Sequence, residues 1–171
     1  VTGVQTCALP ICEPAAEIFE FDISEQKFEG RILDIEPGTH SIVSEQTKKP
    51  VAVIDSSEFD LRQLDTKSLK ILMKAADMKF IDETFHTITS FCSLNRMKAE
   101  QHSAIFNEAF RVLKTNGQFH VWDILIPENK YEATDSIICR IKAKIRHKTM
   151  TDEYIILHTA GKETAYYTAL A

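Results

Sequence analysis

Five short apolar runs, each stopped by acidic or small polar residues, set the strongest limit on what this chain can fold into. They are residues 31–35 (Arg-Ile-Leu-Asp-Ile), 51–54, 69–73, 87–91 and 118–122. Each is too short for a core helix, and the segments between them are long enough to cross back over a sheet. The pattern therefore predicts parallel strands covered on their faces. The clearest helical signal lies in residues 99–114, where Ile105, Phe106, Ala109, Phe110, Val112 and Leu113 recur at helical spacing. Lys114 stands where a helix end favours a cation, and Asn116-Gly117 is expected to supply a left-handed stop. Residues 39–49 are expected to form a short helix at most. The fold class that follows is α/β, an open and mostly parallel sheet.

Past Pro127 the pattern changes. Residues 136–144 and 150–157 alternate apolar and polar positions around the polar turn at 146–148, which predicts a β-hairpin added after the fifth strand. Residues 13–30 show no dominant period and read as a lead-in segment. Residues 162–171 begin a helix that the sequence leaves unfinished. Residues 1–11 look like one reading frame of a sequencing adapter, with Cys12 at its junction, so residues 1–12 are expected to be a scar outside the fold. The other reading of that segment, a loop whose Cys7 and Cys12 pair in a disulfide or bind metal, lacks a second ligand pair downstream.

Composition narrows the function. With 44% hydrophobic and 26% charged residues, the 171-residue chain suits one globular domain. A net charge of -5 gives no overall attraction to nucleic acid or anionic lipid, so the expected partner is a small molecule. No apolar run reaches the roughly 20 residues that span a bilayer. The start of the chain lacks a secretory signal pattern, and Cys92 and Cys139 suit a reducing compartment, so the expected location is cytoplasmic. The six histidines stand singly, without metal-ligand spacing, and no metal site is expected. His86, His120 and His158 read as packing or surface residues, as Phe19, Phe21, Phe106 and Phe110 read as core. No GxSxG elbow argues for hydrolysis. The cations Arg140, Lys142, Lys144, Arg146 and Lys148 read as the solvated face of the hairpin.

In an open α/β sheet, ligands bind at the carboxyl ends of the strands. The polar residues there are Asp34 and residues 36–40, then residues 55–57, Asp77 with Met78, residues 90–93, and Trp122 with Asp123. A carboxylate ending a second strand can accept both hydroxyls of an adenosine ribose. Asp55 follows Asp34 at close to the usual offset of about 20 residues.

Taken in order, residues 31–123 resemble the class I methyltransferases, which are Rossmann-like. Residues 32–38 (Ile-Leu-Asp-Ile-Glu-Pro-Gly) look like that family's glycine-rich first motif, residues 51–55 like its second strand and ribose carboxylate, and residues 76–80 like its adenine-contacting turn. Residues 82–91 resemble the fourth-strand motif. Residues 108–119 (Glu-Ala-Phe-Arg-Val-Leu-Lys-Thr-Asn-Gly-Gln-Phe) are similar to the helix, turn and fifth strand of small-molecule methyltransferases. The resemblance implies S-adenosylmethionine as cofactor and methyl transfer to a small-molecule acceptor. It assigns Asp34 and Gly38 to the methionine end, Asp55 to the ribose, and Asp77 with Met78 to the adenine. It also implies that residues 31–171 are an incomplete domain whose C-terminal strands are missing, leaving the fifth strand's edge open to self-association.

The first motif departs from the family's DxGxGxG. Glu36 and His40 stand in place of glycines, Pro37 lies between, and Gly38 alone remains; His86 replaces an aspartate. The alternative function is thus a non-catalytic module that keeps the fold. A nicotinamide-dependent oxidoreductase shares the strand-end carboxylate but needs the three-glycine fingerprint near a pyrophosphate.

Overall fold

A computed structural model describes residues 15–64, 67–124, 136–146 and 148–157. The helix expected at 162–171 and the segment 1–12 lie outside these residues.

The strands are β1 (Ala15–Asp22), β2 (Ile32–Ile35), β3 (Ala52–Asp55), β4 (Leu69–Leu72), β5 (Phe85–Phe91), β6 (Leu113–Trp122), β7 (Ser136–Ile145) and β8 (Lys148–Leu157). The helices are α1 (Ile42–Thr47), α2 (Glu58–Gln63) and α3 (Ala99–Val112), with a 3-10 turn at Leu94–Arg96. All five apolar runs become strands of one parallel sheet, ordered β4-β3-β2-β5-β6. The predicted Rossmann-like α/β architecture is therefore present.

Strand alternation sorts the core into two layers. Leu33, Ile35, Ile54 and Ile88 face α3, where they pack with Ile105, Phe106, Ala109 and Val112. Ile32 and Val53 face the other way, with Val43 of α1 and Leu61 of α2. Serines start the two short helices: the Ser41 hydroxyl accepts the Ser44 N–H, and that of Ser57 accepts the Asp60 N–H. Lys48 closes α1 in left-handed conformation with φ 53°.

Three sequence readings need correction. α3 stops at Val112, with Leu113 already extended, so the turn at 116–117 does not end the helix. Asn116 takes the left-handed φ of 63° inside β6, where the register against β5 shifts between Phe85 and Thr87. Gly117 is needed for space instead: a Cβ there would stand 2.7 Å from the Leu113 side chain and 2.8 Å from the Lys114 carbonyl oxygen. Gly117→Ala is expected to destabilise by about 1–3 kcal/mol, measured by urea denaturation. Secondly, Phe110 is 43% exposed rather than core, leaning on Phe106 and Phe119. Thirdly, the lead-in segment contains β1, which the missing period had hidden.

β1 pairs in parallel with β7, from Ala15↔Ile137 to Asp22↔Lys144, and β7 pairs antiparallel with β8. The predicted hairpin thus exists, but it belongs to a separate three-stranded sheet. The inner face of that sheet, with Ile23, Cys139, Ile141, Ala143 and Ile145, covers Ile42, Phe91, Cys92 and Ile124. Three of its cations are ion-paired: Lys142 with Glu20 at 3.2 Å, Lys144 with Asp22 at 2.8 Å and Lys148 with Glu45 of α1 at 2.8 Å. Lys142 and Lys144 stand on the solvated face the alternation predicted, whereas Lys148 and Arg146 reach α1, Arg146 donating to the Thr47 carbonyl at 3.0 Å. Cys92 and Cys139 are buried thiols, not joined in a disulfide. Among the described residues, no helix is long and apolar enough to cross a membrane.

Candidate functional site

The parallel sheet brings the expected site residues to one rim, because β2, β3 and β4 all end on the same side. Contact within that rim is uneven. The Gly38 N–H donates to Asp55 Oδ2 at 3.2 Å, joining the turn after β2 to the end of β3. Asp55 Oδ1 accepts the Ser57 N–H at 2.8 Å, at the start of α2. Asp55 is 2% exposed, so its carboxylate is lodged in the rim rather than open to solvent.

Asp34 is fully buried one residue before the strand end. Its period-two position turns it toward α1, where Oδ2 accepts the Ser41 hydroxyl at 2.7 Å. Oδ1 accepts the Thr89 hydroxyl of β5 at 2.7 Å. Asp34 thereby clamps the first turn of α1 to the two central strands. From Ser41 the contacts continue through Ser44 at 2.7 Å to Ser68 at 2.9 Å. Burial pushes the Asp34 carboxyl up to about 6, against the pull of the Ser41 and Thr89 hydroxyls.

Gly38 is buried and left-handed at φ 68°, and a Cβ there would lie 3.4 Å from the Arg96 guanidinium. Arg96 itself donates to the Glu36 carbonyl at 3.0 Å and the Cys92 carbonyl at 3.2 Å. The Ser93 hydroxyl donates to the Glu36 carbonyl at 2.8 Å. The turn is therefore held from the β5 side by Ser93, one of the strand-end residues 90–93, and by Arg96, which sequence reading passed over. No local signal marks Arg96, because 60 residues separate it from the carbonyl it holds. Ser41 and Ser57 were findable, each standing just before a helix as a capping residue.

Glu36 departs furthest from what a glycine position implies. It is left-handed at φ 50°, and its carboxyl crosses to the end of β3. There it accepts the Ser56 N–H at 3.1 and 3.2 Å and the Ser56 hydroxyl at 3.1 Å. Burial, then the neighbouring Asp55 charge, push the Glu36 carboxyl up to about 7.

Asp77 and Met78 follow β4, whose end is tied to Asp55 by the Met73 N–H at 3.0 Å from the Asp55 carbonyl. Asp77 is exposed and ion-paired with Lys79. The Met78 side chain, 3% exposed, belongs to the core beneath α3. Its N–H donates to Glu108 Oε2 at 2.7 Å, and its carbonyl accepts from Arg111 at 2.8 Å. Arg111 also holds the Phe80 carbonyl at 2.8 Å and Asp82 at 2.6 Å, fixing the turn to α3. Of the five expected residues, Gly38 and Asp55 touch directly, and Asp34 lies close enough to feel the Asp55 charge. Asp77 and Met78 stand on the adjoining turn.

Trp122 packs against Phe28 and Phe91, each at 6.0 Å between ring centres, and His120 stacks on it at 5.5 Å. Asp123 accepts the Asn95 N–H at 2.9 Å and the Asn95 side-chain amide at 2.8 Å, tying the 3-10 turn to the end of β6. His86 accepts the Arg31 N–H through Nδ1 at 3.1 Å, a surface contact across the start of β2. Among the described residues, no group of three His, Cys, Asp or Glu side chains is placed to hold a metal ion.

Residues 31–121, just over half of the chain, match a family described as a methyltransferase domain. The chain belongs to this methyltransferase domain family. No curated protein matches it in sequence. Among solved structures, a protein from Bacillus halodurans described as a candidate methyltransferase is 25% identical, over 63% of this chain and 50% of that one, with a TM-score of 0.52. A SAM-dependent methyltransferase from Methanosarcina mazei is 20% identical over 75% and 72%, with a TM-score of 0.51. DesVI from Streptomyces venezuelae is 14% identical over 92% and 74%, with a TM-score of 0.57. The last two show a common fold. The chain spans about half the length of several solved structures it matches.

Proposed function

We propose that this methyltransferase domain binds S-adenosylmethionine at the rim of its parallel sheet and serves methyl transfer to a small molecule. The observation that carries the reading is the 3.2 Å bond from the Gly38 N–H to Asp55, which makes the glycine turn and the strand-end carboxylate one site. The residues fit the group. Asp55 Oδ1 and Oδ2 each accept one backbone N–H, and a carboxylate has about four lone-pair sites, leaving capacity for a ribose diol. Gly38 takes its left-handed backbone, φ 68°, without strain, and so presents its N–H to Asp55. The carboxyls of Asp34, Glu36 and Asp55 give that rim a negative field, suited to a cationic sulfonium.

When bound, the cofactor supplies a methyl group already activated by its sulfonium, so the protein needs chiefly to position and to exclude water. In this assignment Asp34 and Gly38 shape the methionine end, Asp55 takes the ribose, and the turn of Asp77 and Met78 borders the adenine. Met78 acts there through its backbone position, since its side chain is in the core. The three-stranded sheet covers the tips of β5 and β6, the side left for the acceptor.

Calorimetric titration with S-adenosylmethionine tests the reading. Micromolar binding weakened on the order of a hundredfold in Asp55→Asn is expected, the loss of charge-assisted hydrogen bonds to a diol. Binding unchanged in Asp55→Asn would remove Asp55 from the site. A specific observation favours the second reading, a non-catalytic module: Asp55 is 2% exposed, and the neighbouring Ser56 N–H is taken by Glu36. Absence of micromolar binding would leave that module as the function.

A further inference from the structure

The Glu36 carboxyl makes contacts that the turn itself does not require. Its backbone is already fixed: the Glu36 N–H donates to the Ile54 carbonyl at 2.8 Å, and its carbonyl accepts from Ser93 at 2.8 Å and Arg96 at 3.0 Å. The side chain nonetheless lies across the tip of β3. It takes both donors of Ser56, beside the Asp55 carboxyl whose charge acts on it. It does so from a left-handed backbone, φ 50°, which an L side chain seldom adopts.

We propose that Glu36 is a built-in stopper of the adenosyl site: its carboxyl occupies the Ser56 donors beside Asp55, and a ligand's vicinal diol reaches Asp55 only when Glu36 swings away. The proposal rests on the cofactor reading above. It accounts for two observations together, the burial of a carboxylate placed at a ligand rim and a glutamate in a backbone conformation that suits glycine.

The stopper responds to protons. A buried carboxyl beside a second carboxylate holds its proton more readily than one in solvent. Burial and the Asp55 charge push closed Glu36 up to about 7. Swung into solvent, it returns to the ordinary carboxylate range of about 4.3. Closure therefore takes up a proton that opening releases, so opening becomes easier as pH rises from about 4.5 to about 7 and levels off above that. Asp55 faces the Glu36 carboxyl from β3, and its charge also acts on Asp34 of β2. From the 3-10 turn, Arg96 engages the Glu36 carbonyl, and in the loop beyond, the His40 ring pairs with the Thr39 hydroxyl. Ser56 and Ser93 contribute neutral hydroxyls.

The test is calorimetric titration of S-adenosylmethionine into the 171-residue protein and two variants, near pH 5.5 and near pH 8. Glu36→Gly accepts the left-handed backbone without strain and so folds. It is expected to bind on the order of tenfold more tightly than wild type at the lower pH, with the two converging at the higher one. Glu36→Gln keeps an acceptor for the Ser56 donors but cannot ionise, and is expected to bind weakly at both. Equal affinity and equal pH dependence in wild type and Glu36→Gly would overturn the stopper while leaving the cofactor site in place. Absence of binding to all three proteins would overturn both. A ligand-free readout is independent of that outcome: the Ser56 amide resonance is expected to titrate near pH 7 in wild type and to lie flat in Glu36→Gln. A flat wild-type Ser56 resonance overturns the stopper as well.

Discussion

Asp34→Asn is expected to raise the melting temperature of this protein above pH 7 by several degrees and to change it little near pH 3.5. The folded-state carboxyl is pushed up from 3.8 to about 6 by complete burial. Between those two values the native protein holds a proton that the unfolded chain has released, so stability falls as pH rises through that window and is level above it. The full loss is about 3 kcal/mol at 1.36 kcal/mol per pKa unit. For a chain of this length that corresponds to roughly 6–12 °C. Asparagine removes the charge and keeps the clamp. Its oxygen still accepts one hydroxyl, and its amide can donate to Ser41 if the chain of hydroxyls through Ser44 to Ser68 reverses direction. Scanning calorimetry of both proteins from about pH 3.5 to about pH 8 decides the matter. Parallel pH profiles would mean that folding does not shift the Asp34 carboxyl from its ordinary range.

The second large effect is on the helix that backs the sheet. Phe106, 3% exposed, fills the space between α3 and the strands, 5.3 Å from Phe119 and 6.2 Å from Phe110 between ring centres. Phe106→Ala is expected to cost about 3–5 kcal/mol, from lost burial plus the cavity left between elements too rigid to close over it. That is a fifth or more of a typical domain's total stability of about 5–15 kcal/mol. The same helix carries Glu108 and Arg111, which hold the turn of residues 78–82. A loosened α3 should therefore reach the candidate site. Hydrogen exchange at the Met78 amide is expected to accelerate in Phe106→Ala more than at the Asp55 amide, which lies on β3 away from α3. Denaturant unfolding that shows a loss below about 1 kcal/mol would contradict the packing described for this face.

Local pattern was sufficient for the parts of the fold that depend on burial alone. Runs such as 31–35 and 51–54 mark strands buried on both sides, and the stripe of Ile105, Phe106, Ala109 and Val112 marks the face of α3. The alternation in 136–157 marks a hairpin, and acidic residues closing successive strands mark a shared rim once the strands are parallel. Period two and period 3.6 are properties of neighbouring residues, so a linear sequence displays them directly.

What the tertiary structure alone decided is which distant groups meet. β1 was invisible because its partner β7 lies more than a hundred residues away, and pairing there is fixed by the second sheet's own buried face. Phe110 obeys the helical stripe yet ends up exposed, because β6 is an edge strand among the described residues and offers it no cover on that side. Asp34, Gly38 and Asp55 could be named from their order along the chain. That Asp34 would be clamped by Ser41 and Thr89, and that Glu36 would lie across Ser56, followed only from the geometry of the packed rim. Hydrogen-bond partners are chosen by proximity after folding, and no spacing along the chain records that proximity.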